Sequence, residues 1–135
     1  DLLLMFGLAT RARGLRVETK ARNRIARFPD ASFVVPTARV IDTEAPKSRP
    51  IRAPKTTLLR AARSGGLPAR LSVNAGDYLC NYLYWHALAA TGKGGGPQKA
   101  AFIHVPVPSE RFTPDRLTQA GAAILLTAVA SLRPR

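Results

Sequence analysis

The run "LPARLSVNAGDYLCNYLYWHALAATGKGGGPQKAAFIHVPVP", residues 67–108, sets two apolar strand-like stretches on either side of one helical stretch. "LPARLSVN" reads as a short strand with Leu71 and Val73 on one face. From about Tyr78 to Ala90, Leu79, Leu83, Ala87 and Ala90 recur at helical spacing, and "TGKGGGP" ends that helix. "AAFIHVPVP" is the next apolar strand. A strand–helix–strand unit crosses over right-handed and leaves its two strands parallel in one sheet. The chain is therefore expected to build an α/β sheet covered by helices.

The flanking segments extend this pattern. "DLLLMFGLA" is a continuous apolar run ended at Gly7, as expected of a strand buried on both faces. "LRVETKARNRI" alternates, with Leu15, Val17, Thr19, Ala21 and Ile25 on one face and Arg16, Glu18, Lys20, Arg22 and Arg24 on the other. Prolines at 29, 36, 46, 50 and 54 mark the segment from Phe28 to Pro54 as mostly loop. "KTTLLRAARSGG" predicts a short helix stopped by Gly65 and Gly66. Thr113 and Pro114 open a final helix whose buried side is expected to carry Leu117, Ile124, Leu125, Ala128 and Leu132.

Length and composition bound the possibilities. A chain of 135 residues suits one domain, here 1–135, and 46% hydrophobic content excludes wholesale disorder. The longest apolar runs are too short to cross a bilayer, which needs about 20 apolar residues, so no membrane association is expected. A single cysteine cannot form an internal disulfide, which favours a reducing, cytoplasmic setting. The net charge of +13 permits nucleic-acid binding. Seven basic residues lie between Arg11 and Arg27, but no aromatic residues interleave with them as a stacking platform would. Nucleic acid is not the expected partner. "TGKGGGP" is not a phosphate loop, since it follows a helix and lacks the GxxxxGK[ST] spacing.

Two residues could carry chemistry together. Cys80 falls near the first turn of the helix that follows the first strand of the unit, and His104 near the carboxyl end of the second strand. Both are expected at the same sheet edge, where open α/β folds place their sites. A helix N-terminus favours a thiolate, so Cys80 is either an activated nucleophile or a small buried hydrophobe. His86 is six residues further along the same helix, roughly 240° around its axis, and is read as a boundary histidine. An imidazole base for Cys80 must then be His104. Glu18 is the only acid between Asp1 and Asp30, and either orients that imidazole or merely relieves repulsion among its cationic neighbours. One Cys with two His is too few ligands for a zinc site.

Three segments resemble the motifs of the pyroglutamyl-peptidase I (pyrrolidone-carboxylate peptidase) family. "SVNAGDYLCNYLYW" is similar to its cysteine motif through Ser72, Ala75, Gly76, Tyr78, Cys80 and Asn81. "FIHVP" resembles its histidine motif and "ETKARN" its E-x-x-A-x-N segment, with "FGLA" and "FPDA" similar to flanking segments. The resemblance implies a three-layer α/β/α sandwich with a mainly parallel sheet, and a cytosolic cysteine exopeptidase that removes N-terminal pyroglutamyl residues from peptides. In it Cys80 would be the nucleophile, His104 the base and Glu18 the group that orients the imidazole. No metal or organic cofactor would be needed, and a homo-oligomer, dimer or tetramer, is expected. For the family's active-site arginine the nearest candidate is Arg27, with Arg24 possible. The family's G-F-x-P-F-type loop has no counterpart after Asp1, so the resemblance implies an N-terminally incomplete domain. An inactive homologue serving as a structural or interaction domain is the alternative to an active hydrolase.

Overall fold

A computed structural model describes residues 1–132, and the last three positions of the expected 1–135 domain lie outside it. The elements run β1 (Leu2–Ala9), β2 (Leu15–Glu18), β3 (Lys20–Arg22), β4 (Ser48–Pro50), α1 (Lys55–Arg63), β5 (Ala69–Ser72), α2 (Leu79–Ala90), β6 (Lys99–Pro106) and α3 (Pro114–Ala130). Four strands form the main sheet in the order β1-β6-β2-β5, and β3 pairs with β4 in a separate two-stranded sheet. β1 is parallel to β6 and β2 is parallel to β5, while β2 and β6 are antiparallel.

That last pairing corrects the expected crossover. β5 and β6 are neither neighbours nor parallel, because β2 lies between them and runs against β6. Cys80 and His104 are thus not brought together by two strands ending at one edge. Instead β2 and β5 are only four residues long, and their last residues, Glu18 and Ser72, pair with each other. Because Arg16 pairs with His104, Glu18 falls opposite the middle of β6. The chain leaving β5 therefore reaches α2 over the face of the sheet rather than beyond its end.

Helices cover both faces. Leu58 and Ala62 of α1 and Ala120, Ile124 and Ala128 of α3 bury against Leu15, Val17, Ala101 and Ile103 on one side. Tyr84, Trp85, Ala87 and Leu88 of α2 pack with Ala21, Ala100 and Phe102 on the other. Even spacing along β6 explains the division, since alternate side chains of a strand point to opposite faces. Truncating a core residue such as Ile103 to Ala costs about 2–5 kcal/mol.

Several local expectations change for identifiable reasons. β1 runs through Gly7 to Ala9 and is an edge strand, leaving Leu3, Phe6 and Leu8 41%, 48% and 57% exposed rather than buried on both faces. The alternating run breaks at Thr19, whose N–H and hydroxyl both donate to the Ser72 carbonyl. After this break the phase inverts, so Ala21 joins the α2 side and not the side of Leu15 and Val17. The proline-rich segment contributes β4, which pairs antiparallel with β3. α2 buries Asn81, Tyr84, Trp85, Ala87 and Leu88, and exposes Leu79 and Leu83. In α3 Leu125 is exposed, while Ile124 and Ala128 are buried and Leu132 lies beyond the helix end. The Thr113 cap accepts from the Arg116 N–H with Pro114 following it, and Gly66 at φ +73° closes the α1 end, both as expected.

Candidate active site

Glu18, His104 and Cys80 meet on the α2 side of the main sheet. His104 Nδ1 lies 2.8 Å from Glu18 Oε1, with the carboxylate fully buried and the imidazole nearly so. Glu18 is thus not a solvated acid among surface cations. Its backbone carbonyl also accepts from the Tyr84 hydroxyl at 3.0 Å, and its Oε2 is buried with no hydrogen-bond partner among the described residues. Burial first, then the Glu18 charge, push the Tyr84 phenol pKa upward, keeping that hydroxyl a donor.

His104 is more basic than an ordinary imidazole. Burial lowers its pKa, but the hydrogen bonds it makes to Cys80 and Glu18, with their charges, outweigh it and raise the value to about 9. Since Nδ1 is engaged by Glu18, Nε2 is the nitrogen left for the thiol. Cys80 is half-buried, on the first turn of α2, where no side chain caps the free N–H groups. Gly7 pairs with His104 in the sheet, and a Cβ built on it would fall 3.2 Å from Cys80 Sγ and 2.8 Å from the Phe102 ring. The thiol thus occupies space above β1 that only a glycine leaves open, a role no sequence periodicity signals.

The turn before Cys80 is clamped to β3. Asn81 is fully buried, accepts from the Arg22 N–H at 2.8 Å, and donates to the Arg22 and Arg24 carbonyls at 2.8 and 3.3 Å. The Arg22 guanidinium donates to Asn74 Oδ1 and Asp77 Oδ1, both at 2.5 Å. Gly76 takes φ +85° inside that turn, where its N–H meets Asn74 Oδ1. Sequence reasoning singled out Asn81 and Gly76 as motif residues but assigned Arg22 only to the polar face of a strand.

Two cavities lie at the first turn of α2 and share Leu79 and Tyr82, and only the first reaches Cys80. An open one of about 570 Å³ is bordered by Phe6, Gly7, Cys80, Leu83, His86 and Phe102. His86 packs against Tyr82 with ring centroids 4.6 Å apart and planes tilted by 58°, while the histidine bonded to a carboxylate is His104. A smaller apolar cavity of about 210 Å³ is walled by Ile25, Phe28, Pro36 and Tyr78, with Arg24, Asp30 and Asp77 as its polar lining. Phe28 meets Tyr78 edge to face at 5.3 Å, and Asp30 Oδ1 accepts from the Ser32 and Val34 N–H groups. Arg24 reaches Asp77 at 3.4 Å and lines this cavity, whereas Arg27 borders a different, polar depression with Arg39. Among the described residues, no group of three or more His, Cys, Asp or Glu could hold a metal ion. None of the described helices is long and apolar enough to cross a membrane.

A buried carboxylate, an imidazole and a half-buried thiol lie together on one face of a helix-covered α/β sheet. The chain belongs to the pyroglutamyl peptidase family, whose model matches residues 1–133. It is 36% identical over 118 residues to the pyrrolidone-carboxylate peptidase of Thermococcus litoralis, covering 87% of this chain and 51% of that protein. The Pyrococcus furiosus pyrrolidone-carboxylate peptidase is 32% identical over 113 residues, covering 83% and 54%. The fold is similar to a mutant pyrrolidone carboxyl peptidase structure from P. furiosus, with TM-score 0.88 at 25% identity over 98% of this chain and 70% of that one. The T. litoralis structure gives 0.87 at 28% identity, over 96% and 66%. The chain spans about half the length of these two relatives.

Proposed function

We propose that this chain is a cysteine peptidase acting on N-terminal pyroglutamyl peptides, with Cys80 as nucleophile, His104 as general acid–base and Glu18 as the positioning carboxylate. The single observation that carries the reading is the buried 2.8 Å contact between Glu18 and His104, on an imidazole whose charged form Cys80 also stabilises. The thiol proton passes to His104, and sulfur attacks the carbonyl carbon that joins the pyroglutamyl ring to the next residue. The carbon–nitrogen bond breaks as His104 returns its proton to the leaving amine. Water, deprotonated by the same imidazole, cleaves the thioester and releases pyroglutamate and the free thiol. Glu18 stabilises the imidazolium throughout.

The pyrrolidone ring is assigned to the cavity walled by Phe28, Tyr78 and Tyr82, which is apolar and adjoins the first turn of α2. A lactam presents one N–H donor and one carbonyl acceptor, and Asp30, Asp77 and Arg24 are the polar groups lining that cavity. A nucleophilic Cys80 must stay reduced, in keeping with a cytoplasmic enzyme. Exposed Leu79 and Leu83 on α2 and Leu3, Phe6 and Leu8 on the edge strand support self-association into a homo-oligomer.

Release of a fluorophore from a pyroglutamyl amide tests the reading. Turnover by the chain, lost in Cys80→Ser, is the expected result. Turnover that survives Cys80→Ser, or none from a soluble folded preparation, would overturn it.

A further inference from the structure

Four residues fall in register across the α2 side of the sheet. Gly7 pairs with His104, His104 with Arg16, and Arg16 with Arg70. Paired residues on neighbouring strands share a face, so Arg16 and Arg70 extend the row beyond His104 on the side away from Cys80. Leu15, Val17, Ala69 and Leu71 turn the other way, into the opposite core.

The arginines line a groove of about 460 Å³ between the β1–β2 turn and the start of β5, where Arg11 and Arg13 join Arg16 and Arg70 and no acidic residue lines the walls. None of the four makes an ion pair among the described residues. Arg16 Nε is buried and has no hydrogen-bond partner there. Two cations paired directly on adjacent strands are destabilising, and a buried guanidinium N–H without an acceptor adds a desolvation penalty. Both costs vanish when a carboxylate enters, because the guanidinium fork matches its two oxygens.

We propose that this groove is an acidic-residue subsite for the peptide that follows the pyroglutamyl group, a substrate preference that rests on the peptidase reading above. The leaving amine must lie at His104 to receive its proton. Strands are about 4.8 Å apart, so Arg16 and Arg70 lie about 5 and 10 Å beyond it, within reach of the first few residues of an extended peptide. Glu or Asp side chains there meet guanidinium groups that have no ion-pair partner among the described residues.

Calorimetric titration of the Cys80→Ser chain at low salt tests this without needing turnover. Three peptides are compared: pyroglutamyl-Glu-Glu, pyroglutamyl-Gln-Gln and Ala-Glu-Glu. The acidic pyroglutamyl peptide is expected to bind about tenfold more tightly than its glutamine counterpart. That margin should disappear in Arg16→Gln and in Arg70→Gln, the latter an exposed residue whose change leaves the core intact. It should survive in an Arg52→Gln, Arg60→Gln double variant, which removes two exposed charges elsewhere. Binding of Ala-Glu-Glu that depends on Arg16, with no binding of pyroglutamyl-Gln-Gln, would uphold the acidic subsite and count against the peptidase reading. Equal affinities for the two pyroglutamyl peptides, equal loss in the distant double variant, or binding of pyrophosphate but of no acidic peptide would each overturn the proposal.

Discussion

Glu18 Oε1 and His104 Nδ1 stand 2.8 Å apart in the interior, although 86 residues separate them in the chain. They lie on antiparallel neighbours, offset by two residues, because Arg16 is the residue paired with His104. The offset sets carboxylate and imidazole side by side on one face, with the carboxylate fully buried.

This pair ties stability to pH. Folding raises the His104 pKa from 6.5 to about 9, so the native state holds the proton more tightly than the unfolded chain. The stabilisation is therefore fully present below about pH 6.5 and is lost as pH rises through about 9. It amounts to at most about 3 kcal/mol. Thermal melts should show Tm falling by roughly 5–10 °C across that window. His104→Asn should flatten this part of the profile, and an unchanged slope in the variant would assign it to other groups.

Glu18→Gln keeps the shape and removes the charge that supports the imidazolium. In a Cys-His-acid hydrolase this change is expected to lower kcat on a pyroglutamyl amide by about 10²–10⁴-fold, with KM much less affected. It should also bring the His104 pKa down from about 9, which the imidazole carbon-proton NMR shifts against pH would report. A His104 titration unchanged by the substitution would separate Glu18 from the imidazole.

Asn81 is the joint between nucleophile and scaffold. Its amide satisfies the Arg22 N–H and the Arg22 and Arg24 carbonyls, so Asn81→Ala leaves these backbone groups without their partner. The expected loss is about 2–4 kcal/mol, read as a lower Tm. Asn81→Asp keeps the acceptor but loses both donated bonds, and should destabilise as well. If Asn81→Ala melted like the parent chain, the clamp would carry no energy.

Much of this was legible before the fold was known, and the failures have physical causes. The residues Glu18, Cys80 and His104 could be singled out by their chemistry, and the strand and helix segments by their periods. Strand order was not legible, because pairing of β2 with β6 joins Arg16 to His104 and Val17 to Ile103, residues far apart in the chain that no local pattern relates. The buried face of α2 was misjudged since Leu79 and Leu83 border the open cavity at Cys80, while Asn81 goes inside with its hydrogen bonds made. Periodicity counts apolar residues, and at a site apolar residues face outward and polar ones inward. Gly7 looked like a strand terminator when its missing side chain is what makes room for the thiol.

Two glycines should accordingly respond with opposite sign to the same change. Gly7→Ala drives a Cβ to within 2.8 Å of the buried Phe102 ring and 3.2 Å of Cys80 Sγ, so one of them must move. A destabilisation of about 1–3 kcal/mol follows from overpacking, together with slower alkylation of the displaced thiol by iodoacetamide. Gly121 lies inside α3, where a Cβ would meet the Phe6 ring at 3.9 Å, an ordinary van der Waals contact. Gly121→Ala therefore removes unfolded-state freedom at no steric cost and should stabilise by about 0.5–1 kcal/mol. Parallel denaturant melts of the two variants check both signs. A tolerant Gly7→Ala with unaltered thiol reactivity would mean that the closeness of β1 to α2 does not constrain Cys80.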